Sequence, residues 1–154
     1  MRTHRGFSMA ELMVTVASIG VLSAIAIPAG RDSQFKTKRA EIPANVAGIR
    51  TAELGYYAAW SKFLDQSAYV PRELSENGDD RKPAGWPAVD PESNNFDVLG
   101  WSPNGEVRGT YSVPIANNEE LQIDAACNVD GDSNVATYFA TESNNGEWDD
   151  DSKY

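Results

Sequence analysis

The chain has few of the residues on which most enzymes and disulfide-stabilised proteins depend. Its single cysteine, Cys127, has no partner for an internal disulfide, which excludes a small disulfide scaffold. Its single histidine, His4, lies among the first residues, so the rest of the chain has no His-dependent triad and no two-His metal site. We therefore predict that the protein is not an enzyme and has no catalytic residues.

Basic residues are also scarce, and the charge is unevenly distributed. The 154 residues include 13 Lys and Arg against 23 Asp and Glu, a net charge of -10, so we predict no direct nucleic-acid site. A mean hydropathy of -0.47 excludes a polytopic membrane protein. Residues 1–6 are basic, residues 12–30 carry no charge, and residues 60–154 are strongly acidic. This polarity indicates one end suited to lipid or protein and another suited to water.

The uncharged run is long enough to cross a membrane. As a helix, its 19 residues would extend about 28 Å, close to the hydrocarbon thickness of a bilayer. Three interpretations compete for it. It could be a removable secretory signal cut near Ala24-Ile25-Ala26, a permanent single-span anchor, or a segment that first spans the membrane and later forms the core of an assembly.

Glu11 is the residue that bears most on this choice, because it lies directly before the apolar run. A carboxylate costs on the order of 2.5–3.5 kcal/mol at mid-membrane depth and less near the interface. One interpretation is that Glu11 reaches the lipid headgroups. The other is that it pairs with a cation from another copy of the chain, for which a backbone amine at Phe7 would be suitable after cleavage behind Gly6.

The N-terminal residues resemble those of type IV prepilins with a short leader. The similarity is close over about residues 1–30 and looser, as a stem helix, to about residue 64. It rests on Gly6-Phe7-Ser8-Met9-Ala10-Glu11-Leu12-Met13, on Gly20 and on Ala24-Ile25-Ala26-Ile27-Pro28. Ser8, Met9 and Ala10 replace the more usual Thr, Leu, and Ile or Val. The resemblance implies cleavage after Gly6 by a prepilin peptidase, N-methylation of Phe7, and Glu11 as the charge partner of that new N-terminus.

The resemblance also implies a biological role. A type IV pilin is first anchored in the inner membrane. An assembly machinery then extracts it, and it polymerises with copies of itself into a surface filament. One alternative is a pseudopilin of a type II secretion system, which would be periplasmic. An alternative from another class is a secreted soluble calcium-binding or adhesive domain behind an ordinary signal peptide.

Gly20 and Pro28 are the weak points of the apolar helix. Pro28 has no N–H, so the carbonyl of Ala24 loses its helical partner, and glycine is a poor helix former. The stretch between them could simply be kinked at the membrane exit. The resemblance adds the alternative that it partly melts on assembly.

The remaining sequence predicts an α+β body, in which the long N-terminal helix packs on a C-terminal antiparallel sheet. Residues 7–30 are the hydrophobic half of the helix and 31–64 its amphipathic half, with a bend at Pro43. The apolar positions that follow a helical rhythm predict its buried stripe: Phe35, Ile42, Val46, Ile49, Tyr56, Trp60 and Phe63, interrupted by Glu53.

The globular part is predicted over residues 65–141. We expect an irregular connection over 65–96, held by Tyr69, Trp86 and Phe96, and then strands near 97–101, 106–113, 120–127 and 134–141. Pro103-Asn104-Gly105 predicts a hairpin turn between the first two strands. Residues 142–154 are predicted to be a solvated acidic tail containing Trp148, and Cys127 a small buried residue on a strand.

One loop has the spacing of a metal site. Asn128, Asp130, Asp132 and Asn134 place oxygen atoms at every second residue around Gly131, a pattern that could wrap Ca²⁺. The alternative is a polar turn between two strands. No other cofactor is predicted.

Overall fold

The computed structural model describes residues 6–72, 82–87, 95–117, 119–132 and 134–150. The chain forms two compact units, Met1–Gln34 and Phe35–Tyr154. The elements, in chain order, are α1 (Met9–Arg39), α2 (Glu41–Trp60), β1 (Gln66–Val70), α3 (Asn95–Val98), β2 (Gly109–Ala116), β3 (Leu121–Cys127), β4 (Ala136–Thr141) and β5 (Glu147–Trp148). The leader peptide predicted over 1–6 lies outside the described residues except for Gly6.

The first unit consists largely of the apolar part of α1. Its large apolar side chains are exposed, Leu12 at 56% and Leu22 at 67% among them. By length and composition, one stretch of the N-terminal helix could cross a membrane. Among the described residues of the first unit, nothing buries this apolar surface.

The helical region is interrupted at Ala40 rather than bent at Pro43. α1 ends at Arg39 and α2 begins at Glu41, which places Pro43 in the first turn of α2. Proline is tolerated there because the N–H groups of a first turn have no helical acceptor. Pro43 has no N–H to donate to the carbonyl of Arg39, and the interruption lies before the proline, at Ala40.

The second unit confirms the predicted α+β fold. Five strands form one antiparallel sheet in the order β1-β2-β3-β4-β5, so every strand pairs with its neighbour in sequence. Strand β3 alternates buried and half-buried residues over most of its length, and α2 packs on the β2, β3 and β4 strands. The predicted strands near 106–113, 120–127 and 134–141 correspond to β2, β3 and β4.

Four local predictions are wrong. Residues 95–98 form the short helix α3 instead of a strand, and a turn with Gly100 at φ +70° follows it. Gly105 does adopt a positive φ of +90°, but no hairpin forms, because Val107 pairs with Ala84. Strand β1 lies in the region predicted to be an irregular connection, and β5 in the predicted solvated tail.

The helical stripe is buried in its first half and exposed at its end. Ile42, Val46 and Ile49 have no exposed surface, as predicted, whereas Trp60 is 67% exposed. Trp60 is the last residue of α2, and Ser61 adopts a left-handed conformation (φ 55°) that ends the helix. The chain then turns back, so Phe63 rather than Trp60 enters the core.

Candidate functional site

Glu11 and Ser8 form a reciprocal hydrogen-bonded pair at the start of α1. The Ser8 backbone N–H and hydroxyl donate to Glu11 Oε2, at 2.8 and 2.9 Å. The Glu11 N–H in turn lies 3.3 Å from Ser8 Oγ. This is a capping box, which supplies partners to backbone groups that a helix N-terminus leaves free. The Ser-x-x-Glu spacing before an apolar run is a sequence signal that our interpretation of Glu11 did not use.

The capping box gives Glu11 a structural role within its own chain. Phe7, which directly precedes the box, is 84% exposed, and Glu11 is exposed too. Both residues are thus accessible to a second copy of the chain. A pairing between them in an assembly stays a prediction, as do cleavage after Gly6 and methylation of Phe7.

The apolar surface of α1 is the second part of the candidate site. Val16, Ile19 and Ile27 are between 58% and 63% exposed. Exposed apolar surface of this extent marks an interaction site with lipid or protein. It can therefore serve a membrane-bound state and an assembled state with the same residues.

Gly20 and Pro28 lie inside α1, which is helical throughout Met9–Arg39. The single chain is thus not melted between them. Loss of helicity on assembly stays a prediction about another state of the molecule.

The loop proposed for calcium is closed by its own hydrogen bonds. Asn128 Oδ1 accepts from the Gly131 N–H at 2.7 Å, and Asn128 Nδ2 donates to the Asp132 carbonyl at 2.7 Å. Asp132 Oδ1 accepts from the Asn134 N–H at 2.6 Å. Within the described residues, no three His, Cys, Asp or Glu side chains are grouped so that they could hold one metal ion. The contacts are those of a polar turn, and calcium binding here stays a prediction.

Two helix arginines hold the C-terminal segment against the body. Arg50 donates through Nε to the Thr141 carbonyl at 2.8 Å, through Nη2 to the Glu142 carbonyl, and through Nη1 to Asn145 Oδ1 at 3.0 Å. The Arg39 guanidinium lies 4.3 Å from the centre of the Trp148 ring. Residues 141–148 are therefore not a free tail, although their composition is that of one.

Cys127 is a buried structural residue, as predicted. It lies at the end of β3 with no exposed surface, and burial raises the pKa of its thiol to about 12. A thiol that stays protonated is a poor nucleophile.

Comparison with known proteins gives matches to several pilins and fimbrial proteins, most of them over half of the chain or less. No protein-family model and no solved structure matches the chain. It is 33% identical to the type IV major pilin protein PilA of Myxococcus xanthus over 78 residues, 49% of this chain and 36% of that protein. It is 40% identical to a fimbrial protein of Pseudomonas aeruginosa over 52 residues, 34% of each chain.

A longer match covers most of the chain at lower identity. The type IV major alpha-pilin of Moraxella bovis is 27% identical over 130 residues, 80% of this chain and 76% of that protein. The chain spans only about a third of the length of the Myxococcus and Pseudomonas relatives that it matches. The relatives are named as pilins and fimbrial proteins, and the fold of the second unit is helix α2 packed on an antiparallel sheet. The chain is thus similar to type IV pilins.

Proposed function

We propose that this pilin-like subunit polymerises with copies of itself through its N-terminal helix into a surface filament. The observation that carries the proposal is the exposed apolar surface of α1, together with the exposed carboxylate of Glu11 near the start of that helix. Packing the helices of several subunits would remove this apolar surface from water. The names of the relatives favour a pilus over the pseudopilus of a secretion system.

Before assembly, we propose that the subunit waits in the inner membrane and is cut between Gly6 and Phe7 by a prepilin peptidase. Methylation of the new Phe7 amine would keep its positive charge. That amine could then pair with the Glu11 of a neighbouring subunit and set the axial position of each added copy. An isolated Glu11 in an apolar core would be costly, because stranding one partner of a buried charge pair costs about 3–5 kcal/mol. An assembly machinery would extract the processed subunit from the membrane.

Mass spectrometry of the mature N-terminus tests the processing step. We expect a methylated Phe7 as the first residue. A mature chain that starts beyond Ala26 would instead support a secreted soluble domain with an ordinary signal peptide. Electron microscopy distinguishes a pilus subunit from a type II secretion pseudopilin, because the first gives surface fibres and the second gives a short periplasmic assembly.

The assembly role of Glu11 needs to be separated from its role in the capping box. Glu11→Gln keeps an oxygen that can accept from the Ser8 N–H but removes the charge. Ser8→Ala removes the hydroxyl of the box but keeps the charge. We expect normal processing in both variants, loss of filaments in Glu11→Gln, and filaments in Ser8→Ala. Normal fibres from Glu11→Gln would remove the proposed charge pairing.

A further inference from the structure

Two Asn-Gly pairs of the second unit lie outside its helices and strands. They are Asn104-Gly105 and Asn145-Gly146, and the second pair directly precedes β5. Asparagine is chemically labile when glycine follows it, because glycine has no side chain to hinder the attack of its nitrogen on the asparagine amide. A third pair, Asn77-Gly78, lies outside the described residues.

The reaction is a deamidation that needs only water and hydroxide. Hydroxide removes the proton from the glycine backbone N–H, and the nitrogen attacks the asparagine Cγ. A bond forms between that nitrogen and Cγ, the Cγ–Nδ2 bond breaks, and ammonia leaves with a proton from water. Water then opens the resulting succinimide ring at either carbonyl, which gives aspartate or isoaspartate. The backbone nitrogen and the side-chain amide must therefore both be free to approach each other.

Solvent access does not distinguish the two asparagines, because both are exposed. Their hydrogen bonds do distinguish them. Among the described residues, neither the Asn104 side chain nor the Gly105 N–H has a hydrogen-bond partner. A Cβ on Gly105 would meet no atom within 4 Å, so the space beside the reacting nitrogen is open. Asn104 can thus turn its amide towards that nitrogen without breaking a hydrogen bond.

Both reacting groups of the second pair are held by hydrogen bonds. Asn145 Oδ1 accepts from Arg50 Nη1 at 3.0 Å. The Gly146 N–H donates to Asn144 Oδ1, also at 3.0 Å. Before Gly146 can attack Asn145, its bond to Asn144 has to break and the Asn145 side chain has to leave Arg50.

We propose that Asn104 deamidates spontaneously in the folded protein, whereas Asn145 is protected by its hydrogen bonds. The proposal concerns the globular body and does not depend on filament assembly. Each reaction adds one negative charge at an exposed position. Because no enzyme is needed, the modified fraction grows with time after synthesis.

The test is incubation of the full-length chain in detergent at pH 8 in water enriched in oxygen-18, followed by peptide mass spectrometry. The heavy oxygen marks the products that form during the incubation. We expect aspartate and isoaspartate at Asn104, and conversion of Asn145 at least about fivefold more slowly, because two hydrogen bonds must break first. No conversion of Asn104, aspartate there without isoaspartate, or equal or faster conversion of Asn145 would each overturn the proposal.

Two controls separate the effect of the fold from that of the local sequence. In guanidinium chloride the hydrogen bonds of the fold are lost, so Asn104 and Asn145 should react at similar rates. Arg50→Lys removes the planar fork that holds Asn145 and should raise its rate by at least about twofold, with Asn104 unchanged. A rate difference that persists in the unfolded chain, or an Arg50→Lys variant without this increase, would contradict protection by the fold.

Discussion

At the scale of single residues, Glu53 is the most informative side chain. It occupies a core position of the α2 stripe with no exposed surface. Its Oε2 accepts from the Leu64 N–H at 3.0 Å, and Oε1 has no hydrogen-bond partner among the described residues. Burial raises the pKa of Glu53 to about 7, against the lowering effect of the Leu64 bond, and the nearby Asp65 raises it further.

This carboxyl predicts a pH dependence of stability. Because its folded pKa lies above the ordinary value of 4.5, the native state holds the proton more tightly than the unfolded state. The stability that comes from this preferential protonation is therefore fully present below pH 4.5 and is lost as the pH rises through 7. We expect Glu53→Gln, which is neutral at every pH, to exceed the unchanged chain in unfolding free energy at pH 8 by about 1–3 kcal/mol.

Denaturant unfolding at pH 5 and pH 8 measures this difference. Glu119→Gln is the matched control, because it removes an exposed carboxylate. We expect it to follow the unchanged chain at both pH values. The prediction would be contradicted if the difference in unfolding free energy between Glu53→Gln and the unchanged chain were no larger at pH 8 than at pH 5.

Asn128 gives a second prediction at this scale. It is 1% exposed, and its amide bridges Gly131 and Asp132 across the β3–β4 loop. Asn128→Ala removes both hydrogen bonds and should cost about 1–3 kcal/mol in chemical unfolding, at roughly 0.5–1.5 kcal/mol for each bond. Asn128→Asp keeps the acceptor but buries a carboxylate that faces the Asp132 carbonyl, so at neutral pH it should cost no less than Asn128→Ala. A smaller loss in Asn128→Asp than in Asn128→Ala at neutral pH would contradict this account.

At the scale of elements, the segment from Thr141 to Trp148 depends on contacts with the helices. Strand β5 contributes only two residues to the sheet, too few for much stability of its own. The Arg50 fork supplies hydrogen bonds to three residues of the segment, and Trp148 lies between Arg39 and Tyr138. These contacts hold the segment in a chain that has no disulfide.

Arg50→Lys tests this arrangement, because lysine keeps the charge but cannot reproduce the planar fork. We expect a loss of about 1–3 kcal/mol in stability and faster amide hydrogen exchange across residues 141–150. Arg31→Lys, at an exposed position of the first unit, is the matched control and should change neither quantity. Unchanged exchange in Arg50→Lys would mean that the sheet alone holds the segment.

At the scale of the whole molecule, burial and exposure divide between the two units. Every buried core residue among those described belongs to the second unit, and nearly all of the strongly exposed large apolar residues belong to the first. The second unit therefore has a hydrophobic core of its own, as an independently folding domain requires.

A chain shortened to residues 35–154 should accordingly fold as a soluble monomer that forms no filaments. We expect a cooperative thermal transition by circular dichroism and a monomer by size-exclusion chromatography, with a melting temperature close to that of the full chain in detergent. An unfolded shortened chain would show that the first unit stabilises the body. Filaments built from it would contradict the proposed role of the apolar helix.

The sequence alone determined those features that depend on neighbouring residues. The uncharged run from Leu12 to Gly30, the position of Glu11 and the helical rhythm of Ile42, Val46 and Ile49 are local patterns, and they were sufficient to predict the helical region. Strands β2, β3 and β4 could be predicted because each has apolar residues of strand-forming type between turn residues. The Ser8–Glu11 box was equally local and could have been read from its spacing.

The tertiary structure decided the features that join distant parts of the chain. Arg50 donates hydrogen bonds to residues more than 90 positions away, and Trp148 lies against the Arg39 guanidinium. No local sequence pattern identifies such partners. Strand β5 was therefore not predicted, because the composition of its segment is typical of a solvated tail. The exposure of Trp60 likewise follows from where the helix ends relative to the sheet. Contacts of this kind depend on the path of the folded backbone, which brings together residues that the sequence keeps far apart.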